Sequence, residues 1–216
     1  MFVFLPKGYE GHYSIPENIS KIIGGAFNGC EGLTSVTIPN SVTSIGYSAF
    51  WGCHGLTSVT IPNSVTSIGI NAFMGCRGIT HPIIVNDMFV FLPKRFEGHY
   101  SIPEKISIII GGAFHGCSGL TSVTIPDSVT SIGDWAFSGC SGLTSVTIPN
   151  SVTSIGEWAF SGCKSLISIS IPDSVKSMEK SVFSGCSSLQ SIIIPPGTKQ
   201  KFACFLPYNK YKLVEQ

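Results

Sequence analysis

The chain has 216 residues, of which 43% are hydrophobic and only 12% charged, about half the charged share of an ordinary soluble domain. Thirteen Lys and Arg stand against twelve Asp and Glu, a formal net charge of +1, so no strong field exists to grip nucleic acid or an anionic membrane. The aliphatic content excludes disorder despite 24 Gly and 13 Pro, and no apolar run approaches the ~20 residues of a membrane-spanning helix.

Met1–Pro6 is apolar but too short for the core of a secretory signal, and no basic residue precedes it, so no export signal is expected within these residues. From there the chain repeats itself. LTSVTIPN stands at 33–40, 56–63 and 143–150, and LTSVTIPD at 120–127; LISISIPD (166–173) and LQSIIIPP (189–196) are looser copies. Phe27, Phe50 and Phe73 are spaced by 23 residues, as are Phe114, Phe137, Phe160 and Phe183, each heading an F-x-G-C string. A longer period lies above this one. Residues 1–30 and 88–117 match at 25 of 30 positions, differing only at Gly8/Arg95, Tyr9/Phe96, Asn18/Lys105, Lys21/Ile108 and Asn28/His115. Their offset of 87 is three periods of 23 plus 18, so each module contains one short step. Strand starts fall at Glu10, Leu33, Leu56, Ile79, Glu97, Leu120, Leu143, Leu166 and Leu189, which predicts about nine coils.

Within one unit, Val36 and Ile38 alternate with Ser35 and Thr37, the period of a half-buried strand with the aliphatic pair inward. Pro39 ends the strand because it has no N–H for the ladder, and Pro39-Asn40-Ser41 turns the chain. Val42 and Ile45 belong to a second inward-facing side, Gly46 permits a bend, and SAFWGC (48–53) reads as a short helical or 3₁₀ turn docked through Ala49, Phe50 and Cys53. No unit can bury its apolar side alone. Stacking units about 4.8 Å apart pairs strands in parallel and builds one shared core from columns of equivalent residues. The expected architecture is a right-handed, mainly β solenoid with a parallel sheet on its concave face. It runs over residues 1–195, with a second module starting at 88, and is closed by a polar cap at 196–216. Thr198 is expected to cap a short helix reaching about Leu206, where Pro207 stops it. The N-terminal coil has no such cover, which leaves an open strand edge for self-association.

The pattern L-x-x-[VI]-x-I-P-x-x-V-x-x-I-G-x-x-A-F-x-G-C resembles the BspA-like leucine-rich repeats, also called the Treponema pallidum type, over roughly residues 10–195. The stretch IPPGTKQKF…LPYNKYKLVE (194–215) is similar to the closing segment of Bacteroidetes surface proteins of that kind. The resemblance implies a curved solenoid on a bacterial cell surface or secreted from the cell, or in protist relatives, and adhesion to host proteins or other bacteria. It supplies no catalytic residues.

Seven of the eight cysteines follow the repeat, from Cys30 to Cys186. Equivalent positions aim their sulfurs in parallel at a spacing wider than the ~3.8 Å between Cβ atoms that a disulfide prefers, and there is no CxxC, so buried reduced thiols are expected rather than disulfides or a zinc site. Cys204 is expected in the core of the cap, with a surface thiol as the alternative. The outward strand positions form two rows. One holds His12, Ser35, Ser58, His81, His99, Ser122 and Ser145; the other holds Thr37, Thr60, Ile83, Thr124 and Thr147. His81 and His99 are expected side by side on adjacent coils. Trp135 and Trp158 share one repeat position on the outer flank and are candidates for an aromatic contact surface.

Motifs for a nucleophilic serine, a phosphate cradle or a paired-carboxylate site are missing, so neither catalysis nor a cofactor is expected. The leading reading is a binding module for a host or bacterial surface protein or glycoprotein. A passive spacer is the alternative, and an ice-binding Ser/Thr face is a third.

Overall fold

The structure, a computed structural model, describes residues 4–216, so the first three residues of the first module lie outside it. The chain forms two compact units, the first ending at Pro93 and the second running Lys94–Gln216.

The first unit contains β1 (Gly11–Ser14), β2 (Lys21–Ile22), β3 (Leu33–Thr37), β4 (Ser44–Ile45), β5 (Ser58–Thr60) and β6 (Ser67–Ile68). β1, β3 and β5 pair in parallel in one sheet, and β2, β4 and β6 in another, one strand of each sheet per coil. The ladders join equivalent residues, with Ser35 opposite Ser58 and Thr37 opposite Thr60. At the degenerate strand the register slips by one, because Gly11 at φ +90° faces Leu33 while His12 faces Ser35.

The second unit contains β9 (Gly98–Ser101), β10 (Ile108–Ile109), β11 (Leu120–Thr124), β12 (Ser131–Ile132), β13 (Ser145–Thr147), β14 (Ser154–Ile155), β15 (Ser168–Ser170), β16 (Ser177–Met178) and β17 (Ser191–Ile194). Helix α1 (Lys199–Phe205), a 3₁₀ turn (Lys210–Lys212) and β18 (Leu213–Glu215) follow. β9, β11, β13, β15, β17 and β18 form one parallel sheet, and β10, β12, β14 and β16 pair in parallel on the second side. Each unit is thus a leucine-rich-repeat β-solenoid. The first holds three full coils and a short fourth, and the second holds four full coils and a fifth that passes into α1.

The core columns are those the alternation demands. Val36 and Ile38 are buried while Thr37 is exposed, and Val42, Ile45, Ala49, Phe50 and Cys53 are fully enclosed. The Phe rings stack along each unit: Phe27 on Phe50 at 4.8 Å and Phe50 on Phe73 at 5.0 Å, then Phe114 on Phe137 at 4.6 Å and Phe137 on Phe160 at 5.1 Å. The segment read as a short helical or 3₁₀ turn at 48–53 is a chain of tight turns with bonds three residues back. Ser48 at φ +51° and Gly52 at φ +71° interrupt it, and its N–H groups alternate between those bonds, Trp51 N to Ser48 O at 3.1 Å, and bonds across to the next coil, Phe50 N to Ala72 O at 2.7 Å. A ladder that the sequence does not announce runs through the serine after each Pro-Asn or Pro-Asp. Ser41, Ser64, Ser128, Ser151 and Ser174 all donate to a carbonyl of the preceding coil.

The seven repeat thiols are buried and free. Cys53, Cys76, Cys140, Cys163 and Cys186 each point Sγ at the carbonyl of the preceding coil's Phe, at 3.0–3.2 Å. At Cys30 the acceptor is Leu5 O at 3.5 Å, and Leu5 N donates to Ala26 O at 3.1 Å. Leu5–Lys7 therefore takes the place a preceding coil's Phe turn would hold on that flank, while β1 remains the outer strand of its sheet. Cys204 is exposed, which corrects its expected burial in the cap. Burial pushes the Cys117 thiol up to about 12 and Cys140 well above its ordinary value. In the unfolded chain these thiols ionise near their ordinary value, so their contribution to stability is complete at neutral pH. It is lost as pH rises from about 9 towards 12. A thiol reagent at pH 8 is expected to label Cys204 alone, and the other seven only with unfolding. Labelling of a second thiol in the native state would contradict this packing.

The cap differs from expectation in one bond. Thr198 precedes α1 but its hydroxyl donates back to Pro195 O at 2.6 Å, and the Lys199 N–H at the helix start is taken by the Glu215 carboxylate at 2.9 Å. Phe202 and Leu206 are fully buried, Leu213 opposes Ile192, and Lys201 Nζ bonds both the backbone and the carboxylate of Asp173 at 2.6 Å.

Residues 79–91 depart most from the repeat. β7 (Ile83–Val85) and β8 (Met88–Phe91) form an antiparallel hairpin across Asn86-Asp87, with Asn86 at φ +54°. Ile83, expected to face outward, is buried in it.

Candidate functional site

The exposed face of the strand sheets carries the rows named from the sequence. In the first unit His12, Ser35 and Ser58 lie in register, and Thr37 faces Thr60. In the second, His99, Ser122 and Ser145 lie in register, and Thr147 opens the row that continues to Ser170 and Ile193. Thr37, Ser58, Thr60, Thr124, Ser145 and Thr147 are exposed, with Ser35 and Ser122 half-buried beneath the histidines. Among the described residues, the hydroxyls of Ser58, Thr60, Ser145 and Thr147 have no hydrogen-bond partner in the protein. This sets them apart from the next hydroxyl rows along the coil, where Thr57 and Thr144 bond the Thr34 and Thr121 carbonyls.

Each unit carries the same polar cluster at its degenerate strand. His12 Nδ1 lies 2.8 Å from Ser35 Oγ, and its Nε2 lies 3.0 Å from Ser14 Oγ and 3.3 Å from Thr37 Oγ1. His99 repeats this with Ser122 at 2.8 Å, Ser101 at 3.0 Å and Thr124 at 3.3 Å. An imidazole fits here because Gly precedes it and small hydroxyls flank it on its own strand and the next. Among the described residues no carboxylate joins either cluster, and each is a hydrogen-bonding patch with both ring nitrogens engaged. Beside the second cluster, Thr124, Ser145 and Thr147 border a depression of about 500 Å³ closed by Asp127, Pro149 and Asn150 from the strand-ending turns.

His81 lies outside the strands of its own unit. It is exposed and stands before the hairpin, outside any strand, with Nδ1 2.9 Å from Thr80 Oγ1, whereas the ladder partner of His99 is Ser122. The repeat alignment places His81 on a strand, but the hairpin ends the strand column first.

Trp135 and Trp158 recur at one position, and both have φ +57°. Gly25, Ser48, Asn71 and Gly112 take the same left-handed conformation at that position. For a bulky aromatic it costs about 1–2 kcal/mol. The sequence does not disclose this strain. Trp135 is 38% exposed; Trp158 is half-buried, with its indole N–H donating to Glu157 Oε1 at 2.7 Å. His115 was also not singled out. Its Nδ1 is buried without a partner, and burial, then the nearby Lys94 charge, hold its pKa below the usual value.

Among the described residues no helix is long and apolar enough to cross a membrane. Residues 10–104 and 90–207 match the family described as BspA type leucine rich repeat region, in six copies. No curated protein matches the chain. Among solved structures, a leucine rich cell surface protein from Faecalibacterium prausnitzii is 28% identical, with a TM-score of 0.64 over 91% of this chain and 62% of that one. A leucine-rich repeat protein from Eubacterium ventriosum shares the fold at 23% identity and TM-score 0.55, over 85% of this chain and 66% of its own. The pneumococcal vaccine antigen PcpA does so at 20% and 0.54, over 82% and 60%. This chain thus spans less than two thirds of the length of the F. prausnitzii protein.

Proposed function

Because the chain belongs to the BspA-type leucine-rich repeat family, we propose that it is a non-enzymatic binding module of a bacterial cell-surface or secreted adhesin, taking a protein or glycoprotein partner on its strand face. The observation that carries this is the pair of rows of unbonded hydroxyls, Ser58 and Thr60 in one unit and Ser145 and Thr147 in the other, each beside a bonded His cluster. The Thr57 and Thr144 hydroxyls, by contrast, are taken by backbone carbonyls of the neighbouring coil. Left open in register, the unbonded rows offer donors and acceptors at the spacing of a strand ladder, with Asp127 adding a charge at one margin. The F. prausnitzii protein's description as a cell surface protein supports the location. The weak net charge favours a partner recognised by hydrogen bonds over a polyanion.

The test is a binding screen of the whole chain against fibronectin, laminin, collagen and epithelial-cell glycoproteins. Saturable binding to at least one is expected. Thr124→Lys with Thr147→Lys, two exposed positions that can take a long side chain, should weaken it by about tenfold or more. No saturable partner, or a partner indifferent to that double substitution, would favour the spacer role.

A further inference from the structure

In the second unit a groove of about 550 Å³ opens between the last coils and the cap, on residues other than the strand-face rows. Its wall and floor are Trp158, Phe183 and Tyr208, and its polar groups include Lys180, Lys212 and Asn209. Its origin is local. At the bend four residues before the repeat Phe, Gly133 and Gly156 of the two middle coils sit against the backbone of the coil before and donate their N–H there, Gly156 N to Ile132 O at 2.9 Å, while the unit's first coil has Ile110 at that position. In the next coil the same position is Glu179, and among the described residues no such bond reaches Ile155 O. The flank opens with it: Phe160 and Phe183 stand 6.0 Å apart and tilted by 24°, against 4.6 and 5.1 Å for the two pairs before them. The tryptophan column also stops there, because Ser181 follows Trp135 and Trp158. The indole of Trp158 is left beside a small residue, and Tyr208 of the cap stands across from it.

We propose that this groove binds an acidic oligosaccharide, a short uronic-acid-containing glycan. A pyranose ring offers a face of C–H groups that an indole or phenol face covers, while its hydroxyls need donors and acceptors at the rim. Trp158 is prepared for this. Its backbone is held at φ +57°, and its N–H is already bonded to Glu157, so the ring is fixed with its polar edge satisfied. Asn209 and the neighbouring serines supply the rim. The charged side chains lining the groove are the Lys180 and Lys212 ammonium groups, and the Glu157 carboxylate next to it is engaged by the Trp158 N–H, so the lining favours an anionic sugar over a neutral one. Lys212 is anchored by donating to Leu189 O at 2.5 Å and retains further N–H groups. Tyr208 is 69% exposed, too wet for the dry anchor an apolar peptide needs. The site lies on other residues than the strand-face rows and stands independently of that reading.

Tetragalacturonate, a hyaluronan tetrasaccharide and neutral galactotetraose are titrated against the whole chain by calorimetry and tryptophan fluorescence. At least one acidic sugar is expected to bind saturably with one site, and the neutral sugar much more weakly. Trp158→Ser should weaken binding by about tenfold, as should Tyr208→Ala on the exposed cap. Ser48 holds the Trp158 position at φ +51°, so the serine variant fits the backbone, and circular dichroism checks its fold. Lys180→Gln should reduce the salt dependence. The Thr124→Lys/Thr147→Lys chain should bind the sugar as before, which separates this site from the strand face. Equal binding of galactotetraose, tighter binding of a tetraglutamate peptide, no saturable response to either acidic sugar, or a folded Trp158→Ser chain that binds unchanged would overturn the proposal.

Discussion

Phe137→Ala is expected to destabilise the second unit by about 3–5 kcal/mol. Phe137 is fully enclosed and stacked on both sides, at 4.6 Å on Phe114 and 5.1 Å on Phe160. Its removal takes away transfer free energy and leaves a cavity that the coil cannot close. The backbone around it is tied on both faces, with Phe137 N bonded to Ala159 O and Phe114 N to Ala136 O, each at 2.7 Å. Phe183 provides the contrast. It has one stacked neighbour, at 6.0 Å, and lies at the open flank, so Phe183→Ala should cost visibly less. The measurement is the urea midpoint and slope of the two variants by far-ultraviolet circular dichroism. Equal losses, or a loss below about 1 kcal/mol at Phe137, would mean the aromatic column is not the stabilising spine of the stack.

Such columns were legible in the sequence because a solenoid writes each core position at a fixed interval. Phe, Cys and the strand aliphatics recur every 23 residues, and period two within the strand gave the inward set, Val36 and Ile38, directly. The same regularity hid the exceptions. Ile83-Ile84-Val85 followed by Asn86-Asp87 and Met88–Phe91 is two β-rich runs around a two-residue turn, a hairpin signal in its own right. Aligning it to the repeat placed Ile83 and His81 on a strand face they do not occupy.

The candidate site was legible in part. The rows of Ser35, Ser58, Ser122 and Ser145 follow from alignment alone. Which hydroxyls are left unbonded does not, since that depends on which carbonyl each side chain meets in the neighbouring coil. The bonds of His12 to Ser14 and of His99 to Ser101 needed the orientation of the ring. Spacing showed that Trp135 and Trp158 repeat, but it could not show that both sit in the left-handed region. That is a property of the turn and not of the residue, for Gly, Ser and Asn hold the same position elsewhere.

Gly133→Ala is expected to cost about 2–4 kcal/mol, although it adds a single methyl group. A Cβ at Gly133 would lie 2.5 Å from Gly111 N, 2.9 Å from Gly111 Cα and 3.0 Å from Ile109 O, all backbone atoms with no rotamer to give way. Relief requires the two coils to separate. That strains the Gly133 N to Ile109 O bond of 2.9 Å and the ladder in which Ile109 faces Ile132. The position is equally tight at Gly46 and Gly69, whose Cβ would stand 2.4 Å from Gly24 N and Tyr47 N. The chain contains its own counterpart in Glu179, where a side chain at this position accompanies the lost inter-coil bond and the widened Phe160–Phe183 spacing. Gly133→Ala should therefore carry that opening into the middle of the stack. Hydrogen exchange at the Gly133 and Phe114 amides should quicken relative to wild type, and the urea midpoint should fall. An alanine variant with wild-type exchange and midpoint would show that the coils absorb a methyl group here, and that the groove beside Glu179 has another cause.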